Sequence, residues 1–346
     1  PVPAGLDTYQ PEDTGTEILR WVYPGRLAEM VEDFEWSRQY NLARKKSQQE
    51  HVFRPLPGPA VRYSKNGHVK PPTPATPFGT DWIVFADEGG NLPELTAFCH
   101  VAKTMRDALL GAADNPIPEV LSGHRPDRSP AAAPHIAVIP LGNVGWQHSD
   151  GRLVGVGLVI PRNLEQEENR HQPDRLSILR AVGRLEGTPG SPVELTLGKL
   201  GVWRLGRRPT PDRSSLEPGR YTRCARRWSS VTSVVLDLFP KDKDGQRVED
   251  VIAKACENIG LPRPAVIWTH KHPAIAGAPS AWPAGGNPPS MDWSFPKGSP
   301  LTQKPRIHVT LEFEQEVSGP VILGAGRFQG MGLCLPIDEK KGDHRA

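Results

Sequence analysis

Cysteine is scarce and scattered in this sequence: four residues in 346 (Cys99, Cys224, Cys256 and Cys334), none of them in a C-x-x-C pair. That spacing excludes the common zinc frameworks and argues against a disulfide scaffold. No apolar run reaches membrane-spanning length and no secretory signal is visible, so no membrane partner is expected. An initiating methionine is missing as well. The chain opens Pro-Val-Pro, as the C-terminal portion of a longer product would. Net charge is only +3, too small to announce a nucleic-acid partner by itself. No cluster of carboxylates or of Cys and His offers metal ligands, so neither a metal nor a cofactor is expected.

What the chain has in plenty is proline and glycine, 38 and 34 residues, about a fifth of the total. They gather between the periodic segments, as ordered loops require. Charge is also unevenly placed. Lys199 to Arg227 holds nine basic residues against Asp212 and Glu217, about +7, and leaves the rest near −4. A positive segment on a nearly neutral body points to a local anionic partner, unless it is a solvated loop.

Residues 16–47 read as a helix interrupted at Pro24-Gly25, and the proline-rich 54–79 as a connector or extended arm. From residue 80 strands and helices alternate. "TDWIVFA" (80–86), "HIAVIPL" (135–141) and "RLVGVGLVIP" (152–161) read as strands, and "VELTLGKLGVWRL" (193–205) as a strand pair or one bent strand. Residues 92–112 and 173–185 read as helices. The order β-α-β-β-α-β is that of a ferredoxin-like unit. A looser second copy follows: strands at 230–239, 264–270 and 306–314, a helix at 247–260, a short helical turn within 319–326 and a last strand at 332–337. The expected fold class is therefore α+β, with tandem ferredoxin-like (RRM-like) βαββαβ domains. The boundaries are 1–78 for a helical, proline-rich remnant, 79–206 for the first domain, 207–229 for a basic connector and 230–346 for the second domain.

Before that last strand lies "VILGAGRFQGMGLCLPI" (321–337), with Gly324, Gly326, Gly330 and Gly332. A dinucleotide fingerprint is excluded, because the spacing is wrong and too few residues follow for a βαβ unit. A Walker loop is excluded by the missing Gly-Lys-Ser/Thr ending. Two readings are left. One is an ordinary turn. The other is a loop laid against a nucleic-acid backbone, with Arg327 supplying charge and Phe328 a stacking surface.

At this point the residues resemble a known family. Tandem ferredoxin-like units with a glycine-rich loop before the final strand resemble the RAMP superfamily of CRISPR-associated RNA-binding proteins. Within it, the chain is similar to the fused subunit of type I-G (formerly I-U) systems, which joins a Cas five-type portion to a C-terminal Cas six-type endoribonuclease. The stretches that carry the resemblance are "VLSGHRPDRSPAAAPHIAVIPLGNVGWQHSDGRLVGVGLVIPR" (120–162), "LTLGKLGVWRL" (195–205), "ARRWSSVTSVVLDLFPK" (225–241), "ACENIGLPRP" (255–264) and "PRIHVTLEFEQEVSGPVILGAGRFQGMGLCLPID" (305–338). The resemblance implies a cytoplasmic protein whose partners are a pre-crRNA repeat hairpin and its crRNA product, the other Cascade subunits, the Cas five-type N-terminal portion, and target DNA through the complex. Residues 1–78 would be the tail of that Cas five-type portion and the junction.

It also implies metal-independent cleavage of repeat RNA, in which the ribose 2′-OH attacks the adjacent phosphate and leaves a 2′,3′-cyclic phosphate and a 5′-OH. Such a step needs a base, an acid and cationic donors, roles that suit histidine, arginine and lysine. Three histidines are the candidates. His124 follows the first helix in a polar loop, His148 sits on the turn before a strand with Arg152 nearby, and His135 starts the neighbouring strand. His100, within the helix, reads as a surface residue. Arg207, Arg208, Arg223, Arg226 and Arg227 are expected to line the RNA groove with Arg152. Trp203, Tyr221 and Trp228 among them would stack on bases. Two alternatives stay open: a fold that holds crRNA without cutting it, and a two-histidine phosphoesterase for which "HVTL" at His308 supplies one motif and "HIAV" at His135 an incomplete second.

Overall fold

In the computed structural model the described residues are 9–11, 17–20, parts of 25–35, 60–65, 73–165, 169, 171–210, 213–239, 247–281 and 295–337. They form two units, residues 1–72 and 73–346. In the first, strands β1 (Tyr9–Pro11), β2 (Glu17–Arg20) and β3 (Ala60–Lys65) make an antiparallel sheet in the order β1-β3-β2. Residues 17–20 are therefore a strand where the sequence predicts the start of a helix. The apolar pair Ile18-Leu19 fits either period, and only the segment after Pro24-Gly25 contains helical residues. Within the predicted proline-rich connector (54–79), residues 60–65 are β3 and Phe78 and Gly79 already begin the next strand, while 54–59 and 66–72 lie outside the described residues.

The second unit holds two larger sheets. The first comprises β4 (Phe78–Gly90), β5 (Ala137–Gly142), β6 (Leu153–Pro161), β7 (Val193–Thr196) and β8 (Val202–Arg207), all neighbours antiparallel, in the order β5-β6-β4-β8-β7. Helix α1 (Phe98–Gly111) runs between β4 and β5, a short α2 (Glu119–Ser122) follows it, and α3 (Pro173–Glu186) runs between β6 and β7. Helix α1 buries Phe98, Val101, Ala102, Met105 and Leu109, the spacing of one helical face. Pro173 suits the first position of α3, where no intrahelical N–H bond is lost. Strands β5 and β6 are buried at every position. Continuous apolar runs such as "LVGVGLVIP" are what a strand covered on both faces requires.

After a short helix α4 (Gly219–Thr222), the second sheet comprises β9 (Cys224–Ser230), β10 (Val234–Val235), β11 (Val266–His270), β12 (Arg306–Ser318) and β13 (Cys334–Pro336). β12 pairs β11 on one edge and β9 on the other, β13 closes on β9, and helix α5 (Val248–Asn258) runs between β10 and β11. The segment expected as a basic connector thus ends at 223, since residues 224–230 are a central strand.

One contiguous apolar core spans both sheets, and the seam between them is polar as well as apolar. The Arg162 guanidinium donates to the carbonyls of Thr76 (2.8 Å) and Gly319 (2.7 Å), and the Thr76 hydroxyl donates to Pro320 O (2.8 Å). Trp82 stacks on Tyr221 at 5.5 Å. The glycine-rich segment completes the seam. Gly330 has φ +73°, and a Cβ there would lie 2.5 Å from the Phe98 ring of α1. Gly332 has φ +75°, and a Cβ there would lie 2.1 Å from Leu323 O. Its N–H donates to Ser233 O, and its carbonyl accepts from Leu323 N–H, both at 3.0 Å.

Gly332→Ala is therefore expected to destabilise the protein by about 2–4 kcal/mol, from left-handed strain plus displacement of backbone. Urea denaturation of both proteins measures this; an unchanged midpoint would mean that the segment does not depend on this packing.

Candidate functional site

Helix α2 ends at Gly123, in the left-handed conformation at φ +69°. A side chain at 123 would also collide with the His135 ring, at 2.7 Å from a Cβ. This turn exposes His124. Its Nδ1 lies 2.9 Å from the Ser122 carbonyl. A carbonyl only accepts, so Nδ1 carries the proton and Nε2 is left with its lone pair. Arg106 of α1 donates to the same carbonyl at 2.5 Å. One backbone oxygen thus ties an imidazole and a guanidinium together.

His135 lies beside this pair. Its ring stacks on Phe328 at 3.6 Å with an interplanar angle of 24°, and Phe328 in turn meets Phe78 edge-on at 5.6 Å. Burial, and then the nearby charges of Arg106, His124 and Arg327, pull the His135 pKa from the usual 6.5 down to about 4. At neutral pH this imidazole is uncharged and wedged in aromatic packing. The Arg327 guanidinium lies 5.2 Å from the Phe328 ring centre, donates to Gly324 O at 3.0 Å, and stands 3.8 Å from an Asp237 carboxylate oxygen. The structure therefore brings together Arg106, His124, His135, Arg327 and Phe328, from α1, the loop after α2, the segment just before β5 and the glycine-rich segment.

His148 is not among them. It is exposed on the loop joining β5 to β6, at the opposite end of β5 from His135. Strand β5 itself, from Ala137 to Gly142, spans about 17 Å at 3.3 Å per residue, and Arg152 lies at that far end with His148. These two histidines cannot meet at one phosphate.

The remaining sequence expectations divide in the same way. Gly324, Gly326, Gly330 and Gly332 are buried, and a Cβ on each would strike Val235 O, Met331, Phe98 and Leu323 O. Their missing side chains make room for protein. Phe328 stacks on His135, where a base was expected. Trp203, Tyr221 and Trp228, expected as base-stacking surfaces, are fully buried. Several of the arginines already have anionic partners: Arg207 on Glu186 (3.2 Å), Arg208 on Glu88 (2.7 Å) and Arg227 on Glu312 (3.4 Å). Arg223 donates to Pro336 O and Arg226 to Phe313 O. The basic run is distributed over two sheets, because β8, with Arg204 and Arg207, and β9, with Arg226 and Arg227, belong to different ones.

His308 is buried, with Nε2 donating to Pro279 O and Nδ1 accepting from the Ser230 hydroxyl, both at 2.9 Å. Both ring nitrogens are occupied, so the "HVTL" stretch is a core contact and offers no phosphoesterase motif. His100 is half-buried rather than a surface residue. Sequence reasoning missed Arg106, which reads as one more cation on the polar side of a helix. Among the described residues no three His, Cys, Asp or Glu side chains converge as metal ligands, and no helix is long and apolar enough to cross a membrane.

Residues 7–336 match a family described as "CRISPR-associated protein, GSU0054 family". No curated protein matches the chain. A solved structure titled "An RAMP protein binding different RNA substrates" aligns with a TM-score of 0.33 and 11% identity over 74% of this chain and 98% of that one.

Burial also lowers the His308 pKa from 6.5 to about 4. For His308 and His135 alike the unfolded state binds more protons between about pH 4 and 6.5. Their contribution to stability is thus complete above pH 6.5 and is lost as pH falls toward 4, up to about 3 kcal/mol for the buried His308. The melting temperature should fall through that window, and His308→Gln should flatten the slope; an equally steep slope in the variant would exclude His308 as a source.

Proposed function

The chain belongs to the CRISPR-associated GSU0054 family, and from that premise we propose that it is a pre-crRNA processing endoribonuclease. The observation that carries this reading is the shared Ser122 carbonyl, which fixes the His124 tautomer with Nε2 available as a base and holds Arg106 beside it. The 2′-OH of the scissile nucleotide gives its proton to His124 Nε2 while O2′ bonds to phosphorus. The P–O5′ bond breaks, and the 5′ oxygen takes a proton from water. Arg106 and Arg327 carry positive charge toward the phosphorane. His135 is a positioning residue: neutral and stacked, it holds the loop of His124 against the glycine-rich segment. No residue of this arrangement needs a metal to perform its step.

The strand orders β5-β6-β4-β8 and β11-β12-β9-β13 support the tandem ferredoxin-like reading. In the second of these repeats the segment holding the glycines takes the place of the second helix. On this reading the enzyme keeps its crRNA product as the fused Cas five/Cas six-type subunit of a type I-G Cascade complex in the cytoplasm. It reaches target DNA only through that assembly, with residues 1–78 as the tail of the Cas five-type portion.

One observation favours the alternative of a crRNA-holding subunit that does not cut. His135 is too depressed to act as an acid at neutral pH, and His148 lies at the other end of the strand, so the site offers a single accessible imidazole.

Labelled repeat RNA incubated in EDTA separates the two readings. Cleavage to a 2′,3′-cyclic phosphate end, slowed about 10²–10⁴-fold in His124→Ala, is the expected result. Tight binding with no cleavage would establish the holding role. Cleavage by His124→Ala at the wild-type rate would remove His124 from the chemistry.

A further inference from the structure

Trp146 stands 46% exposed on the loop between β5 and β6, at the end of β5 remote from His124. Exposed as it is, the ring is held on two sides. Its Nε1–H donates to the Ser215 hydroxyl at 3.4 Å, and the Arg220 guanidinium lies 4.4 Å over one face. Trp146 also lines two cavities, so part of its ring surface stays accessible. An aromatic ring fixed at its edge and over one face, yet 46% exposed, can offer its remaining surface to a second flat π system.

Two cavities meet at this ring. One, of 470 Å³, is also lined by Arg152, Arg213 and Asp150, and the other, of 630 Å³, by Arg220, Arg223 and Glu217. Each is large enough for a nucleotide-sized ligand. Four arginines thus face two carboxylates. Asp150 is engaged by the Asn143 amide at 3.0 Å and by the Arg152 backbone N–H at 3.1 Å. Arg220 donates through Nη2 to Val144 O, while its buried Nη1 has no partner. Burial and the like charge of Arg223 both work against its protonated form. An anion seated here would relieve that repulsion.

We propose that this cleft seats one nucleotide of single-stranded RNA, its base on the accessible surface of the Trp146 ring and its phosphate against Arg220 and the neighbouring arginines. The proposal rests on the reading that the chain handles RNA, and adds a second point of contact to it. Base stacking and phosphate pairing are needed together to use both the exposed ring and the excess positive charge. A protein segment with an acidic residue would use the charge and leave the ring's exposed surface without a planar partner.

The test uses the full chain, labelled repeat RNA and a ten-residue oligouridine, with anisotropy read in EDTA at one fixed salt concentration. Trp146→Ala should weaken binding of both RNAs about 5- to 150-fold, the range for loss of one stacked base, and Trp146→Phe should recover most of it. RNA carrying 4-thiouridine should crosslink to the peptide spanning residues 143–151. If wild-type protein binds RNA, Trp146→Ala binds as tightly, and crosslinks fall elsewhere, the cleft is refuted while the processing reading stands or falls by cleavage alone. Trp146-dependent binding by a wild-type protein that never cleaves would support the cleft and refute the nuclease. Protection of Trp146 from iodide quenching by a co-expressed subunit, but not by RNA, would overturn the proposal in favour of a protein partner. Melting curves of both variants check folding, and the phenylalanine variant decides the matter if the alanine variant unfolds.

Discussion

The closeness with which the glycine-rich segment packs between the two sheets is the constraint on which the rest depends. Gly330 leaves room for Phe98 of α1 and approaches the Val138 carbonyl of β5, while Gly332 fits against the backbone of Leu323. With those contacts made, Phe328 comes over His135 and Arg327 comes within electrostatic reach of it. The site is therefore a product of assembly. Its imidazoles and Arg106 come from the half containing the first sheet, and its aromatic cover and second cation come from the other half. Buried backbone at this density tolerates no Cβ, which is why glycine is required at positions that touch no solvent.

The arginines follow a different logic. A run of nine basic residues looks like an electrostatic footprint when read along the chain. In three dimensions β8 and β9 divide it, and Glu186, Glu88, Glu194 and Glu312 neutralise a good part of it. What stays available is concentrated by burial rather than by sequence. Arg106 is tied to a carbonyl, and Arg220 lies between Trp146 and Tyr221 with one nitrogen unmatched. A desolvated guanidinium without a carboxylate partner attracts an anion more strongly than a solvated one on a flexible stem, because less water competes for it.

Much of the fold was legible because burial writes itself into composition. "LVGVGLVIP" had to be a covered strand, and the spacing of Phe98, Val101, Met105 and Leu109 had to be a helix face. The place of His124, in a polar loop just past a helix end, was legible too. The errors share a cause. Trp203 was taken for a stacking surface because arginines flank it, yet in "VWRLGR" the period of two places Trp203 and Leu205 inward and Arg204 outward. Glycine at four positions announced close approach, but nothing in a linear sequence says whether the approaching group is RNA or Phe98. Arg106 was hidden for a similar reason. Its importance comes from Ser122, sixteen residues away, and helical periodicity assigns it only to a polar face.

The separation of His124 from His148 gives the molecule two ends with different chemical resources. At one end of β5 an oriented, exposed imidazole stands next to a half-buried neutral one and two cations, a set suited to moving a proton near a phosphate. At the other end an exposed indole and unmatched guanidinium stand without an oriented base, a set suited to holding. Strand β5, about 17 Å from Ala137 to Gly142, lies between them. On the proposed reading, an extended RNA backbone that touched both ends would span several nucleotides between them.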